Sequence, residues 1–115
     1  MMSSWKTLES IDQLEKAIED SFNKPVVLFK HSVSCGISAR AKYMLEENWK
    51  FDQGSFDFYY LDLLGFRNVS NEIADRFKVQ HQSPQVIIIK NGEAVYDMSH
   101  HKISAQSLES AMITI

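Results

Sequence analysis

Residues 26–40, VVLFKHSVSCGISAR, begin with the pattern of a strand and end with the pattern of a helix. Val26 to Lys30 is a β-branched, nearly continuous apolar run, which is typical of a central strand buried on both faces. From Gly36 to Trp49 apolar residues recur every three or four positions, which predicts a helix. Cys35, the only cysteine in 115 residues, lies where the strand passes into this helix. The stretch therefore predicts a strand–helix unit of an α/β fold with a thiol at its turn.

Strand and helix patterns continue to alternate on both sides of this unit. Before it, an apolar stripe with helical spacing covers residues 7–22, Ser10 and Gln13 fit a capping box, and Trp5 to Leu8 has the pattern of a short strand. After it, the sequence predicts a strand at 56–63 and then a helix that Asn68 or Ser70 caps and that reaches Phe77. Two strands follow at 85–90 and 93–98, and Ser104 caps a last helix.

The resulting element order is β-α-β-α-β-α-β-β-α, which predicts a central mixed β-sheet with helices on both faces. Asn91-Gly92 is the dipeptide favoured in type I′ turns, so the last two strands are expected to form a hairpin. With right-handed crossovers, the last strand becomes an antiparallel edge of the sheet. No repeat or linker interrupts the pattern, and we expect residues 1–115 to form a single domain.

Composition and charge exclude several classes of partner. Twelve basic and fifteen acidic residues give a net charge of -3 and are interspersed, so we expect no nucleic-acid partner. No apolar run approaches the ~18 residues of a membrane span, and the first residues lack the pattern of a signal peptide. We therefore expect a soluble cytoplasmic protein with no membrane partner. A single cysteine forms no internal disulfide, so folding does not depend on an oxidising compartment.

The position of Cys35 favours a reactive thiol over an inert one. In open α/β sheets, catalytic and binding groups lie at the carboxyl ends of the strands, where the free amides at the start of a helix point outward. A thiolate there is stabilised by the amides of Ile37 and Ser38, which lowers its pKa below the ~8.5 of a free thiol. Gly36 leaves one side of the sulfur uncrowded, and nearby Lys30, His31 and Arg40 add positive potential. The alternative is a small, partly buried capping residue without reactivity.

Three segments of the sequence resemble a known family. FKHSVSCGIS, VSNEIADRFKVQHQSPQVIIIKNGE and SHHKISAQSLESAM are similar to the YtxJ family of monothiol bacilliredoxins, which have a thioredoxin-like fold, and the likeness spans nearly the whole chain. The family's usual motif is Thr-Cys-Pro-Ile-Ser. Here Ser34 and Gly36 occupy the threonine and proline positions, so the first turn of the predicted helix has an additional amide and a less rigid backbone than in the family.

The resemblance implies an enzyme that removes a low-molecular-weight thiol, bacillithiol, from S-thiolated client proteins. Cys35 would be the nucleophile and would retain the small thiol, so that a reductase or a second thiol must regenerate it. The resemblance also implies a cis Ser83–Pro84 bond, with the Ser83 backbone contacting an extended substrate. Ser83, Pro84 and His31 are thus the expected substrate-binding residues, and the small thiol is a co-substrate, so no cofactor is expected.

The sequence also suggests two other functions and one possible metal site. Cys35-Gly36-Ile37-Ser38 also resembles the Cys-Gly-Phe-Ser motif of monothiol glutaredoxins, some of which hold an iron–sulfur cluster with glutathione, but their later Gly-Gly pair is missing. A non-catalytic thioredoxin-like module could instead use the Pro84 edge to bind an extended peptide. His81, His100 and His101 lack the short ligand spacing of zinc motifs, so we expect no metal.

Overall fold

The computed structural model describes residues 6–31, 43, 56–62, 65–99 and 103–114. Within them the chain forms β1 (Lys6–Thr7), α1 (Ile11–Asp20), β2 (Val26–His31), β3 (Asp57–Asp62), α2 (Arg67–Phe77), β4 (Gln85–Lys90), β5 (Glu93–Ser99) and α3 (Ala105–Thr114). Tyr43 is helical, and the rest of the helix predicted at 36–49 lies outside the described residues.

The five strands form one mixed sheet in the order β1-β3-β2-β4-β5. β3 runs parallel to β1 and β2, whereas β4 runs antiparallel to β2 and β5. This arrangement confirms the prediction of a mixed sheet with the hairpin's last strand as an antiparallel edge.

The side chains of β2 alternate between two hydrophobic cores, one on each face of the sheet. Val27 and Phe29 pack with residues of α3, and we call this side the α3 face. Val26 and Leu28 pack with residues of α1 and α2 on the opposite side, the α1/α2 face. All six residues of β2 are buried, as expected for a central strand covered on both sides. The prediction of helices on both faces is thus confirmed.

Two of the three predicted helix caps are present. The Ser10 hydroxyl accepts a hydrogen bond from the Gln13 amide at 3.1 Å, while the Gln13 side chain accepts one from the Glu9 amide at 2.6 Å. The Ser104 hydroxyl likewise accepts a hydrogen bond from the Ser107 amide at 3.0 Å. Each cap satisfies amides that have no partner inside the helix.

The prediction that Asn68 or Ser70 caps α2 is wrong. The helix begins at Arg67 after Phe66, which makes no side-chain capping bond. The Phe66 carbonyl accepts hydrogen bonds from the Val69 and Ser70 amides at 3.1 and 3.2 Å, so the first turn closes before either polar residue could cap it. Ser70 is therefore inside the helix and buried, and its hydroxyl is available to another element.

The β4–β5 turn is tied to the end of α1. Asn91 and Gly92 have φ angles of 54° and 79°, the positive values that a type I′ turn requires. Ser21, 1% exposed, accepts the Asn91 amide on its carbonyl and the Gly92 amide on its hydroxyl, each at 2.9 Å. The hairpin prediction is confirmed, and Ser21 fixes the turn against the helix.

Gly92→Ala is expected to lower the free energy of unfolding by about 1–2 kcal/mol, because an L residue is strained at positive φ. A methyl group there would also come within 2.9 Å of the Phe22 ring, which is 62% exposed and can turn toward solvent. The backbone strain therefore dominates. Urea denaturation measures the change, with Asn91→Gly as the matched control because glycine tolerates the same positive φ. A stability of Gly92→Ala equal to that of the wild type would contradict this account of the turn.

Candidate functional site

Strand ends meet at one edge of the sheet and define the candidate site. β2 ends at His31 beside Asp62, the last residue of β3, and Lys30 is the register partner of Gln85, the first residue of β4. Carboxyl ends of parallel strands are where α/β sheets place their binding and catalytic groups. We call this region the β2 edge.

The chain enters the predicted thiol segment from this edge. Cys35 follows the last residue of β2 by four positions, so covalent geometry holds its Cα within about 14 Å of that of His31. Cys35 lies outside the described residues, as do Gly36, Ile37 and Ser38. Their roles as nucleophile and thiolate-stabilising groups stay predictions.

The Ser83–Pro84 peptide bond is cis, as the family resemblance implies. Pro84 is buried and directly precedes β4, while Ser83 is half-buried beside it. Since β4 is paired with β2, this peptide bond lies at the same edge of the sheet from which the chain leaves β2 toward Cys35. The structure thus places two of the three predicted substrate-binding residues next to the β2 edge, and their role in binding stays a prediction.

Gln85 is a residue of this site that the sequence analysis missed. It is 2% exposed, and its side-chain amide donates to the Gln80 carbonyl at 3.1 Å while accepting a hydrogen bond from the Gln82 amide at 3.4 Å. These bonds hold the polar connector that leads into Pro84. The available signal was a polar residue directly before the apolar run VIII of β4.

His31, the third predicted substrate-binding residue, lies inside an aromatic cluster on the α3 face. Its ring packs edge-on against Phe29 at a centroid distance of 5.7 Å and lies tilted against Tyr60 at a centroid distance of 5.3 Å. The side chain is 4% exposed, so it contributes to the wall beneath the β2 edge rather than to an open surface. Burial and the Asp62 carboxylate raise the pKa of Tyr60, which keeps its hydroxyl protonated.

Lys30 extends into the opposite, α1/α2 face, because side chains alternate along a strand. It is completely buried, and among the described residues its ammonium Nζ has no hydrogen-bond partner. Burial lowers the pKa of Lys30 from 10.5 to about 8. The positive charge predicted at Lys30 is therefore buried within the α1/α2 face.

His81 is a second titratable group near Lys30 on this side. Its Nδ1 atom lies 3.4 Å from the Ser70 hydroxyl, which joins the connector to the first turns of α2. Burial, followed by the positive charges of Lys30 and Arg67, lowers the pKa of His81. The imidazole is consequently neutral near pH 7.

No group of three potential metal ligands occurs in the part of the chain that the structure describes. Cys35, His100 and His101 lie outside it, so the expectation of no metal stays a prediction. Within the same part, no helix is both long and apolar enough to cross a membrane.

Comparisons with known proteins agree with this geometry. The family model of monothiol bacilliredoxin BrxC matches residues 6–108. The solved structure of a candidate oxidoreductase with a thioredoxin fold is 39% identical, with a TM-score of 0.77 over 92% of this chain and 91% of its own. The solved thioredoxin of Malassezia sympodialis is 18% identical, with a TM-score of 0.76 over 98% of this chain and 91% of its own. That of Trypanosoma brucei brucei is 16% identical, with a TM-score of 0.76 over 96% of this chain and 89% of its own. These matches confirm the predicted thioredoxin-like fold.

Proposed function

The chain belongs to the monothiol bacilliredoxin BrxC family and is a thiol-disulfide oxidoreductase, and we propose that it removes bacillithiol from the cysteines of S-thiolated client proteins. The observation that carries this proposal is the match to the monothiol bacilliredoxin family over residues 6–108, a range that includes the only cysteine of the sequence. A single thiol suits disulfide exchange, and the Ser83–Pro84 segment at the β2 edge suits the binding of an extended substrate. A cytoplasmic setting fits it, because small thiols are kept reduced there.

The proposed reaction needs only one protein thiol. The Cys35 thiolate attacks the bacillithiol sulfur of the mixed disulfide, the bond between that sulfur and the client sulfur breaks, and the client thiolate leaves and takes up a proton. Cys35 then carries bacillithiol in a new disulfide. A second bacillithiol thiolate attacks the bacillithiol sulfur of this adduct and releases bacillithiol disulfide, which returns Cys35 to the thiolate. A dithiol reductase could reduce the adduct instead.

The described residues support the binding step. Buried Pro84 and the connector held by Gln85 fix the position of the Ser83 backbone, which pairs with the client chain on either side of its modified cysteine. His31 supports the edge from below through its ring contacts. A preorganised backbone of this kind lowers the cost of ordering the substrate.

A discharge experiment tests the proposed function. The reduced chain is mixed with an equal amount of a one-cysteine peptide that carries bacillithiol, and both the freed peptide thiol and the mass of the chain are measured. We expect peptide release together with a gain of one bacillithiol by the chain. We expect slower release of the peptide thiol in parallel reactions in which the peptide carries glutathione or coenzyme A instead of bacillithiol.

Other outcomes separate the alternatives. Equal rates with all three small thiols would contradict bacillithiol as the preferred substrate, while leaving exchange itself intact. A peptide that binds but keeps its modification would favour a non-catalytic peptide-binding module. An anaerobic preparation that absorbs visible light would favour an iron–sulfur protein similar to the monothiol glutaredoxins.

A further inference from the structure

The first turn of α2 is a positively charged helix end without a compensating anion of its own. Arg67 begins the helix, Phe66 before it provides no side-chain cap, and the first turn contains no acidic residue. A cation at this position adds to the positive end of the helix dipole, so Arg67 is unfavourable for the helix itself. The start of α2 is therefore a place where an anion is stabilised.

The connector between α2 and β4, residues 78–84, brings His81 to the same place. The His81 Nδ1 atom lies 3.4 Å from the hydroxyl of Ser70, which follows Arg67 by three positions and so lies on the same side of the helix. The Gln85 side chain bonds to the backbone of the residues on either side of His81 and holds the connector there. Arg67 and His81 are both exposed, so a ligand reaches them from solvent.

Lys30 adds a buried charge next to these two residues. It is the register partner of Gln85, it is completely buried, and its Nζ atom has no hydrogen-bond partner among the described residues. After burial, the positive charges of Lys30 and Arg67 are what lowers the pKa of His81, which agrees with the proximity of the three side chains. We call Lys30, Arg67 and His81 the basic cluster.

The acidic residues of the surrounding elements are engaged or directed elsewhere. β2, β4 and the connector contain none. In α2, Glu72 pairs with Arg76 at 3.0 Å, and Asp75 lies more than two turns beyond the first residue of the helix. Asp62 of β3 lies on the α3 face, because it is one position from Leu61, which packs on the α1/α2 face. A local excess of positive charge therefore remains in a chain whose net charge is -3.

The basic cluster lies beside the Ser83 backbone, where the proposed function places the client chain. His81 precedes Ser83 by two positions, so their Cα atoms are at most about 7 Å apart. A client chain paired with Ser83 therefore brings its neighbouring side chains within reach of the cluster. A carboxylate complements the cluster, since it accepts hydrogen bonds from both a guanidinium and an imidazole N–H.

We infer that Arg67 and His81, beside the buried Lys30 ammonium, bind an acidic side chain of the client close to its modified cysteine. These residues then determine which S-thiolated proteins are preferred, and they take no part in the exchange of sulfur. The inference rests on the proposed function, since it takes the Ser83 backbone as the place where the client chain binds.

Paired peptides test this preference. Two one-cysteine peptides carry bacillithiol and differ only in a glutamate or a glutamine within three residues of the cysteine. We expect kcat/KM to be about fivefold higher for the glutamate peptide at low ionic strength, and the difference to shrink in high salt. Arg67→Gln should remove the preference, and Arg67→Glu should transfer it to a peptide with lysine at that position. Arg76→Gln is the matched control, because Arg76 lies on the same helix and already pairs with Glu15 and Glu72.

A binding measurement does not need any variant to fold. Peptides with serine in place of the cysteine are added to the wild-type chain, and NMR follows the imidazole of His81. A bound carboxylate favours the imidazolium, so the glutamate peptide should raise the pKa of His81 and the glutamine peptide should leave it unchanged.

Three results would overturn the inference. The first is equal kcat/KM for the glutamate and glutamine peptides, and the second is a His81 titration that the glutamate peptide does not change. The third is an equal loss of activity on both peptides in Arg67→Gln, which would mean that the cluster binds the carboxylates of bacillithiol instead of the client. A wild-type chain that discharges neither peptide would overturn the proposed function, while the His81 titration would still test the acidic-peptide site.

Discussion

Cys35→Ser is expected to abolish disulfide exchange, with the second-order rate of client-thiol release falling about a thousandfold or more, as for loss of other enzymatic nucleophiles. Serine keeps nearly the same shape, but its hydroxyl is hardly ionised near pH 7 and forms no disulfide. The chain has no second cysteine that could take over the reaction. The loss should therefore be complete rather than partial.

Chemical modification supplies a control that does not change the sequence. The native chain has a single cysteine, so alkylation of its thiol should reproduce the loss of exchange seen in Cys35→Ser. Circular dichroism and urea denaturation of both proteins should match those of the wild type. Exchange that persists in Cys35→Ser would show that another group performs the reaction.

Lys30→Met is expected to raise the free energy of unfolding at pH 7 by about 1–3 kcal/mol, because it replaces a buried charge that has no hydrogen-bond partner among the described residues with an apolar chain of similar length. Below pH 8 both the folded and the unfolded chain hold the Lys30 proton, and the folded chain bears the full cost of burial.

The pH dependence follows from the direction of the Lys30 shift. Its pKa is about 8 in the folded chain and 10.5 ordinarily, so between these values the unfolded chain binds more protons. Stability then rises with pH in the Lys30 protein, and the advantage of Lys30→Met shrinks toward zero by about pH 10.5. Urea denaturation at pH 7 and pH 10 measures this. An advantage that is absent at pH 7, or independent of pH, would contradict an uncompensated buried ammonium.

Local patterns predicted the parts of the fold that local interactions determine. The apolar runs of β2 and β4, the Asn91-Gly92 turn and the Ser10 cap depend on residues close together in the sequence, and all are present. The start of α2 was missed because the Phe66 carbonyl accepts hydrogen bonds from the Val69 and Ser70 amides, which closes the first turn before either polar residue could cap it.

The site also divides into features that the sequence predicted and features that depend on contacts between distant residues. The cis bond at Pro84 followed from the family resemblance, which the comparisons support. The burial of Lys30 without a hydrogen-bond partner in the described part of the chain, and of His31 against Tyr60, depends on which strands pair and in which register. The pairing of β2 with β3 and β4 joins residues that are 31 to 63 positions apart in the sequence, and no local pattern contains that information.

The central claim is that the Cys35 thiolate takes a small thiol from the cysteine of another protein by disulfide exchange. Its most direct test is the mass of the wild-type chain after a single turnover with the bacillithiol-modified peptide, followed by digestion. We predict one bacillithiol, attached by a reducible bond to the fragment that contains Cys35, together with one free peptide thiol. A chain of unchanged mass beside a peptide that remains fully modified would contradict the account.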